Sequence, residues 1–491
     1  MAVRAERLDL SNRPMARLPL AVALFLGAGL LMAASGEWGP YFVLVVLALE
    51  AGVVMLARPE VGLPLVFLTA PLDVFFLQVF GVRLKSFQII SLVVLAGWGG
   101  QVLVARRPLR WSPLAIPLLL LTATYLLSFL LHSQYLYLGL PLFLLELWFV
   151  AIVLLVANFS ERPDILRACL WAMVISGTGV AVYGVIEALG FYRDASVTAT
   201  YQAILHGGRP FATFTEPDFL GAYLMGTFLL LLPFLGSRRW PLWLMVLLGL
   251  PMLAAIVLVL VRAAWLGLLG GLAAYAWARW RQRGSGDPAS FARGWAGLLA
   301  AAAVAALAVS WLAPSALGAA EVRARNLLAI VEPENPSETR LNEVREAGAA
   351  ALDSPLSGHG IGTYGVLTRY GATVAADRGQ ERSGVVGSGA VLGLMFDQGV
   401  LGVAAFALLL AVLFWRLNRA LPLADAKMSP YVQGAFASLS GLAVSALVNN
   451  LFYFGFFWLI IALAAALADA VLQGSASPEP RAADATAGGA P

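Results

Sequence analysis

Apolar positions along this chain gather into runs near twenty residues long, separated by short polar breaks. A helix of about 20 residues rises about 30 Å, the thickness of a bilayer's hydrocarbon core. The runs fall at roughly 18–34, 40–57, 61–80, 86–105, 113–131, 140–157, 167–190, 218–236, 240–260, 262–278, 294–313, 389–415, 431–449 and 451–472. They predict an all-α, polytopic transmembrane helix bundle of about 12–14 spans. In the run 61–80, Pro71 and Asp73 predict that the second half leaves the membrane or lies at its interface.

Composition agrees with this pattern. The chain is 60% hydrophobic and 12% charged, with a mean hydropathy of +0.82. A soluble domain carries about 25% charged residues, so a globular fold would have nowhere polar to face. The first apolar run continues into a second, and reads as a retained helix rather than a cleaved signal. Basic residues are sided. The N-terminal arm, alternate loops and the C-terminal tail hold 20 of the 32, including Arg58, Arg110, Arg162, Arg167, Arg279, Arg281, Arg416, Arg419 and Lys427. Short positive loops stay inside, which places both termini in the cytoplasm and assigns the net charge of +4 to the membrane rather than to nucleic acid. Cys169, the one cysteine, lies in an apolar run and reads as small core packing. With three histidines, no Cys/His set has metal-ligand spacing.

The chain therefore divides into N-terminal transmembrane helices (1–190), core helices with arginine-bearing outer loops (191–313), a large outer loop (314–388), C-terminal helices (389–473) and a small-residue, Pro/Ala-rich tail (474–491) expected to be disordered. Within the large loop, Glu338 to Leu352 predicts an amphipathic helix, with Leu341, Val344, Ala347, Ala351 and Leu352 on its apolar side. Such a helix lies on a membrane or covers a cavity. The glycine-rich stretch Asp353 to Tyr364 predicts turns.

Several outer residues can carry chemistry. Arg262 sits between two apolar runs, where a cation either faces a cavity or snorkels to the interface. Arg209 opens a segment that enters a span, and Asp218 is placed to cap that helix. Glu216 precedes a proline in an extended position. Two arginines near a helix N-terminus suit a diphosphate, because guanidinium binds phosphate oxygens bidentately and the helix end favours anions. His359 in Gly358-His-Gly-Ile-Gly362 is either a general base or a turn residue packed on its loop. His132 and His206 read as structural. Asp397, about two turns inside a span, is either functional or bonded to a neighbouring helix or to Gln398.

Four stretches in this order carry a resemblance. Arg209 to Tyr223 resembles an Arg-x-x-Gly-Thr-Phe-x-x-Pro-Asn-x-x-Ala segment, with Ala212 for glycine and Asp218 for asparagine. Val261 to Trp265 resembles a Ser-Arg-Gly-Ala-Trp turn, Ser354 to Tyr364 a Pro-Leu-x-Gly-x-Gly-x-Gly-x-Phe/Tyr stretch, and Phe396 to Gly402 a Glu-x-Gly-Leu-Leu-Gly helix start. Together these resemble the O-antigen ligase and polymerase superfamily of bacterial membrane glycosyltransferases, over roughly 200–405. The ligases carry a His-Asn pair shortly before the glycine matching Gly399, and here Ser388 stands at the histidine's place. That departure favours a polysaccharide polymerase, or a member with another acceptor, over a strict lipopolysaccharide ligase.

The resemblance implies a metal-independent, inverting transfer of a glycan from an undecaprenyl-diphosphate-linked donor to a glycan or lipid-linked glycan acceptor. The reaction would take place at the outer face of the bacterial cytoplasmic membrane, in contact with membrane lipid and without a cofactor. It implies that Arg209, Arg262 and Arg340 hold the diphosphate, and that His359, Glu216 or Asp218 orients or deprotonates the acceptor hydroxyl. Two rival readings are a transporter or flippase, with Asp397, Glu187 and Glu146 as its midplane charges, and a non-catalytic scaffold for envelope assembly.

Overall fold

A helix that is apolar all round is stable only where neighbours or lipid surround it. The computed structural model describes residues 39–79, 82–104, 109–193, 209–235, 240–282, 307, 336–369 and 384–476. Nearly all of these are helical, in the order α1 (Gly39–Ala57), α2 (Pro59–Thr69), a two-stranded hairpin of β1 (Phe76–Val79) and β2 (Val82–Lys85), α3 (Ser86–Val104), α4 (Ala115–Leu131), α5 (Leu136–Ala157), α6 (Pro163–Arg193), α7 (Pro217–Leu235), α8 (Leu242–Leu258), α9 (Arg262–Arg281), α10 (Pro336–Asp353), α11 (Ala390–Ala420), α12 (Ser429–Ala446) and α13 (Gly455–Ala476). Among the described residues, six helices are long and apolar enough to cross a membrane, and four shorter apolar helices accompany them. This is the character of a membrane helical bundle. The expected spans 18–34 and 294–313, His206 and most of the C-terminal tail lie outside the described residues.

Contacts divide the chain into two units, residues 1–62 with 90–107, and residues 63–89 with 108–491. In the first, a side chain on Gly97 would strike the Leu56 backbone at 2.5 Å, and one on Gly62 would strike Val94. Small residues let these backbones meet, and Gln101 Nε2 donates to the Ala57 carbonyl at 3.2 Å.

In the second unit, α7 and α13 are the central helices, buried along almost their whole length. Around α7 stand α6, α8, α9 and α12; around α13 stand α5, α11 and α12. The closest pair, α9 and α12, meets at glycines. A Cβ on Gly267 would fall 2.7 Å from the Gly441 carbonyl oxygen, and one on Gly271 would fall 2.9 Å from that of Ala437. Cys169 is fully buried in α6, as core packing.

Within the expected span 61–80 the helix ends at Thr69, and after Pro71 and Asp73 the chain forms the hairpin, with Phe76 opposite Lys85. The helix expected over Glu338 to Leu352 is present as α10, and the protein covers part of its apolar side. Glu343, Ala347 and Ala351 are buried, whereas Leu341, Val344 and Leu352 are exposed. Ala347 packs with Tyr364, Val386 and Phe396 in a small core.

The helix α11 is two helices joined at Gly399, whose φ of 68° and ψ of −164° interrupt the spiral. Only glycine takes this backbone without strain. A turn of the glycine-rich loop fills the break. Val400 N–H donates to the Pro355 carbonyl at 2.7 Å, His359 N–H to that of Phe396 at 2.8 Å, and Gly360 N–H to that of Asp397 at 3.2 Å. The interrupted backbone groups are thereby paired inside protein, as a buried helix break requires.

Candidate functional site

The loops joining the helices meet at two ends of the second unit. At one end stand Arg110, Arg162, Arg167, Arg416 and Arg419, all among the arginines expected to be cytoplasmic. Arg416 pairs with Asp469, which also accepts from Ser112 Oγ at 3.2 Å. Arg110 pairs with Glu161, and Arg167 lies against Met428 and the Tyr431 ring. The opposite end gathers the glycine loop, the Arg209 segment, the turn before Arg262, the hairpin and the 447–454 connection.

Arg209 Nη1 lies 3.3 Å from Asp218 Oδ1, and both side chains are largely buried. Asp218 stands inside the first turn of α7 rather than ahead of it, because the helix begins at Pro217. The Glu216 carbonyl receives the first helical N–H groups, from Phe219 and Leu220. Between Arg209 and Glu216 the chain makes a turn at Ala212, whose φ of 50° is the left-handed region that favours glycine. Glu187, near the end of α6, holds this turn: its Oε2 accepts the Phe211 N–H at 3.0 Å and the Ala212 N–H at 2.8 Å. That bond gives Glu187, a midplane charge in the transport reading, a loop-holding role.

Arg262 is the first residue of α9, after the short buried turn Val259 to Val261. This turn packs on Gly221, one helical turn beyond Asp218; a Cβ there would lie 3.4 Å from both Val259 and Val261. The two predicted cationic segments are thus neighbours. For Arg340, the third expected cation, only the backbone position on α10 is described; its side chain lies outside the described residues.

The glycine loop is seated by backbone contact. Gly358, Gly360 and Gly362 all have positive φ, of 69°, 96° and 74°. A Cβ on Gly358 would meet the Asp397 backbone at 2.5 Å, one on Gly360 the His132 side chain at 2.7 Å, and one on Gly362 the Leu138 carbonyl at 3.1 Å. His132 accordingly supports the loop, and its Nδ1 lies 2.9 Å from its own helix's Ser128 carbonyl. The His359 ring stacks on Phe396 with centroids 5.1 Å apart. Its Nδ1 is buried with no hydrogen-bond partner among the described residues. Burial, reinforced by nearby His132, lowers the His359 pKa from the usual imidazole value; Asp353 and the Phe396 backbone oppose this. A neutral imidazole at pH 7 is able to accept a proton.

Asp397 Oδ2 accepts from Tyr453 Oη at 2.6 Å, so its partner comes from the 447–454 connection rather than from Gln398. Gln398 Oε1 accepts from Thr124 instead, at 2.9 Å. Tyr125 Oη donates to Tyr453 Oη at 3.2 Å. The next residue, Phe454, turns toward α7, and its ring meets that of Phe219 in a tilted contact with centroids 3.7 Å apart. Tyr453 and Phe454 therefore join the His359 loop to the Arg209–Asp218 pair, and hydropathy marks neither.

Sequence reasoning also passed over two other groups, Glu343 and Lys85. Glu343, buried on α10, accepts the Gly387 N–H at 2.7 Å and the Ser388 hydroxyl. Ser388, at the place of the family histidine, is thereby held by a carboxylate. Lys85, at the end of the hairpin, pairs with buried Asp73, whose backbone N–H donates to the Thr213 carbonyl at 3.0 Å. The signal for both pairs was present as charge in apolar surroundings, but the partners lie far apart in the chain. Among the described residues, no group of three or more His, Cys, Asp and Glu side chains is placed to hold a metal ion. Compared with known proteins, the chain matches no family model, and no curated protein matches it.

Proposed function

We propose that this protein transfers a glycan from an undecaprenyl-diphosphate carrier to a sugar hydroxyl, by ligation or polymerisation, at the outer face of a bacterial cytoplasmic membrane. In this reading the arginine-rich end faces the cytoplasm with both termini, and the loop end is the reaction side. The observation that carries it is the joining of the Arg209–Asp218 pair to the His359 loop through the adjacent residues Tyr453 and Phe454. The turn bearing Arg262 packs one helical turn beyond Asp218.

The chemistry asks little of an acid. The bond between the donor's anomeric carbon and its phosphate oxygen breaks, and lipid diphosphate departs with the electron pair. Arg209 and Arg262 stabilise the charge that grows on it. The acceptor oxygen attacks the anomeric carbon from the opposite face, inverting it. Its proton passes to a base, for which the neutral His359 ring is suited. Asp218, bonded to Arg209, serves to orient that guanidinium. Glu216 stands at the same helix start as an alternative base. The exposed Leu341, Val344 and Leu352 of α10 suit contact with the outer leaflet.

Transport of a polar or lipid-linked substrate is the second reading. It is favoured by the broken helix at Gly399 beside Asp397, and by Glu146, whose two carboxylate oxygens are buried with no hydrogen-bond partner among the described residues. Purified protein given undecaprenyl-diphosphate glycan separates the two. Transfer predicts release of undecaprenyl diphosphate, falling about 100-fold or more in Arg209→Ala and Arg262→Ala. Product length then distinguishes polymer growth from single ligation. Absence of release with native donor and acceptor, together with movement of substrate across reconstituted vesicles, establishes transport instead.

A further inference from the structure

Glu146 lies where a carboxylate is least expected. It is the eleventh residue of α5, about 15 Å from either end of that helix. It is 1% exposed, and neither carboxyl oxygen has a hydrogen-bond partner among the described residues. Phe143, one turn earlier, stacks on the Tyr125 ring at 6.3 Å, and Glu146 is within electrostatic reach of the Tyr125 hydroxyl. From there a chain of hydroxyls runs toward the loop end. Tyr125 Oη donates to Tyr453 Oη at 3.2 Å, and Tyr453 Oη donates to Asp397 Oδ2 at 2.6 Å. Tyr125 and Asp397 are fully buried, whereas Tyr453 is partly exposed.

The two carboxyl groups differ in what they receive. Asp397 takes the Tyr453 hydroxyl and the Gly362 N–H bears on it, donors that suit an anion. Glu146 receives no donor among the described residues, and an ionised carboxylate there would stand bare in an apolar interior. The neutral acid fits instead. Its O–H is a donor, and Tyr125 Oη, which gives its own proton to Tyr453, keeps a lone pair to accept one. The neighbouring elements bring no cation to Glu146. α5 packs on α4 and α13 and follows the short turn at 133–135, which carries Tyr135. On α4 the titratable residue is Tyr125, with His132 at the loop end against Gly360. On α13 it is Asp469, held by Arg416 at the arginine-rich end. Around Asp397, the His359 ring lies on Phe396, and Glu343 of α10 is taken by Ser388.

We propose that Glu146 is a proton-binding site inside the bundle, and that Tyr125, Tyr453 and Asp397 are its path to the loop end. Along this path the Glu146 proton passes to Tyr125 Oη, the Tyr125 proton to Tyr453 Oη and the Tyr453 proton to Asp397 Oδ2. The negative charge thereby moves from Asp397 to Glu146. The ligand is the proton itself, and the site goes beyond the transfer reading without resting on it.

Infrared spectroscopy of the full-length protein in detergent reads that proton. At pH 7 the wild type should show a carboxylic-acid C=O band that Glu146→Gln lacks, and the band should shift in D2O as the proton exchanges. Tyr125→Phe and Tyr453→Phe each remove one hydroxyl and keep the ring. The path predicts that each slows the exchange about 100-fold, with circular dichroism and size-exclusion profiles like those of the wild type. Should the buried Tyr125→Phe fail to fold, Tyr453→Phe tests the same path. Absence of a band belonging to Glu146 overturns the site. A band that never shifts in D2O overturns the path, and so does one that exchanges as fast in the tyrosine variants as in the wild type.

Discussion

The two ends of the bundle use carboxylates in opposite ways. At the arginine-rich end, acidic side chains meet basic side chains: Asp469 takes Arg416, Glu161 takes Arg110, and Asp164 takes Arg162. At the loop end, acidic side chains take hold of backbone. Glu187 fixes the turn at Ala212, and Glu343 fixes Gly387 and the Ser388 hydroxyl. Side-chain pairs anchor helix ends but leave the loops between them unshaped. Carboxylate-to-backbone bonds shape the loop itself, which a site made of loops needs. Lys85–Asp73 and Arg209–Asp218 depart from this division at the loop end, and Asp425 departs from it at the arginine-rich end, where its Oδ1 accepts the Lys427 and Met428 N–H groups.

The contrast breaks most visibly at Arg416. Its Asp469 partner is only 3% exposed, so Arg416→Ala strands a buried carboxylate and is expected to cost about 3–5 kcal/mol. The double change Arg416→Met with Asp469→Leu should recover most of that loss in thermal unfolding. A smaller effect is expected at the loop end. Glu343→Ala leaves one N–H and one hydroxyl without their acceptor, a loss of about 2 kcal/mol. It should show as faster proteolysis around residues 384–389, with unchanged helix content by circular dichroism. Equal effects on unfolding temperature and on local cleavage from both variants would erase the distinction between the ends.

The smallest effect is a pH dependence confined to the glycine loop. The His359 pKa is lowered on folding, so the unfolded chain takes up this proton first as pH falls. Stability is therefore full above the unfolded imidazole value, near 6.5, and declines as pH drops from there toward the lower folded value. His359→Gln should flatten that part of the profile of unfolding temperature against pH, with no matching change in the carboxylate range below it.

The helices were legible because hydropathy alone marks them. The expected segments 86–105, 218–236 and 262–278 match the helices Ser86–Val104, Pro217–Leu235 and Arg262–Arg281 to within a few residues. The turn at Ala212 was not read from the sequence, because an alanine gives no local signal for its φ of 50°. Nor was the hairpin after Asp73, because its strands are only four residues each and the segment leading into them, at Asp73 and Val74, bonds the Thr213 carbonyl far along the chain. Amphipathic spacing located α10 but not which of its apolar residues the protein covers. Small Ala347 and Ala351 pack more closely than Leu341 or Leu352, so they turn toward α11. The Glu343–Ser388 bond joins residues 45 positions apart, and no local pattern encodes such a pairing.

The interruption at Gly399 also sets how the chain meets the thickness of its surroundings. The stretch from Val400 to Ala420 rises about 30 Å on its own, enough for a full hydrocarbon crossing. The nine residues before Gly399 are thus surplus to the crossing. They are released from the length-matching that constrains every uninterrupted span, and are free to take their tilt from the glycine loop. Asp397 belongs to this segment, so its carboxylate is positioned by Tyr453 and the glycine loop rather than by the longer helix.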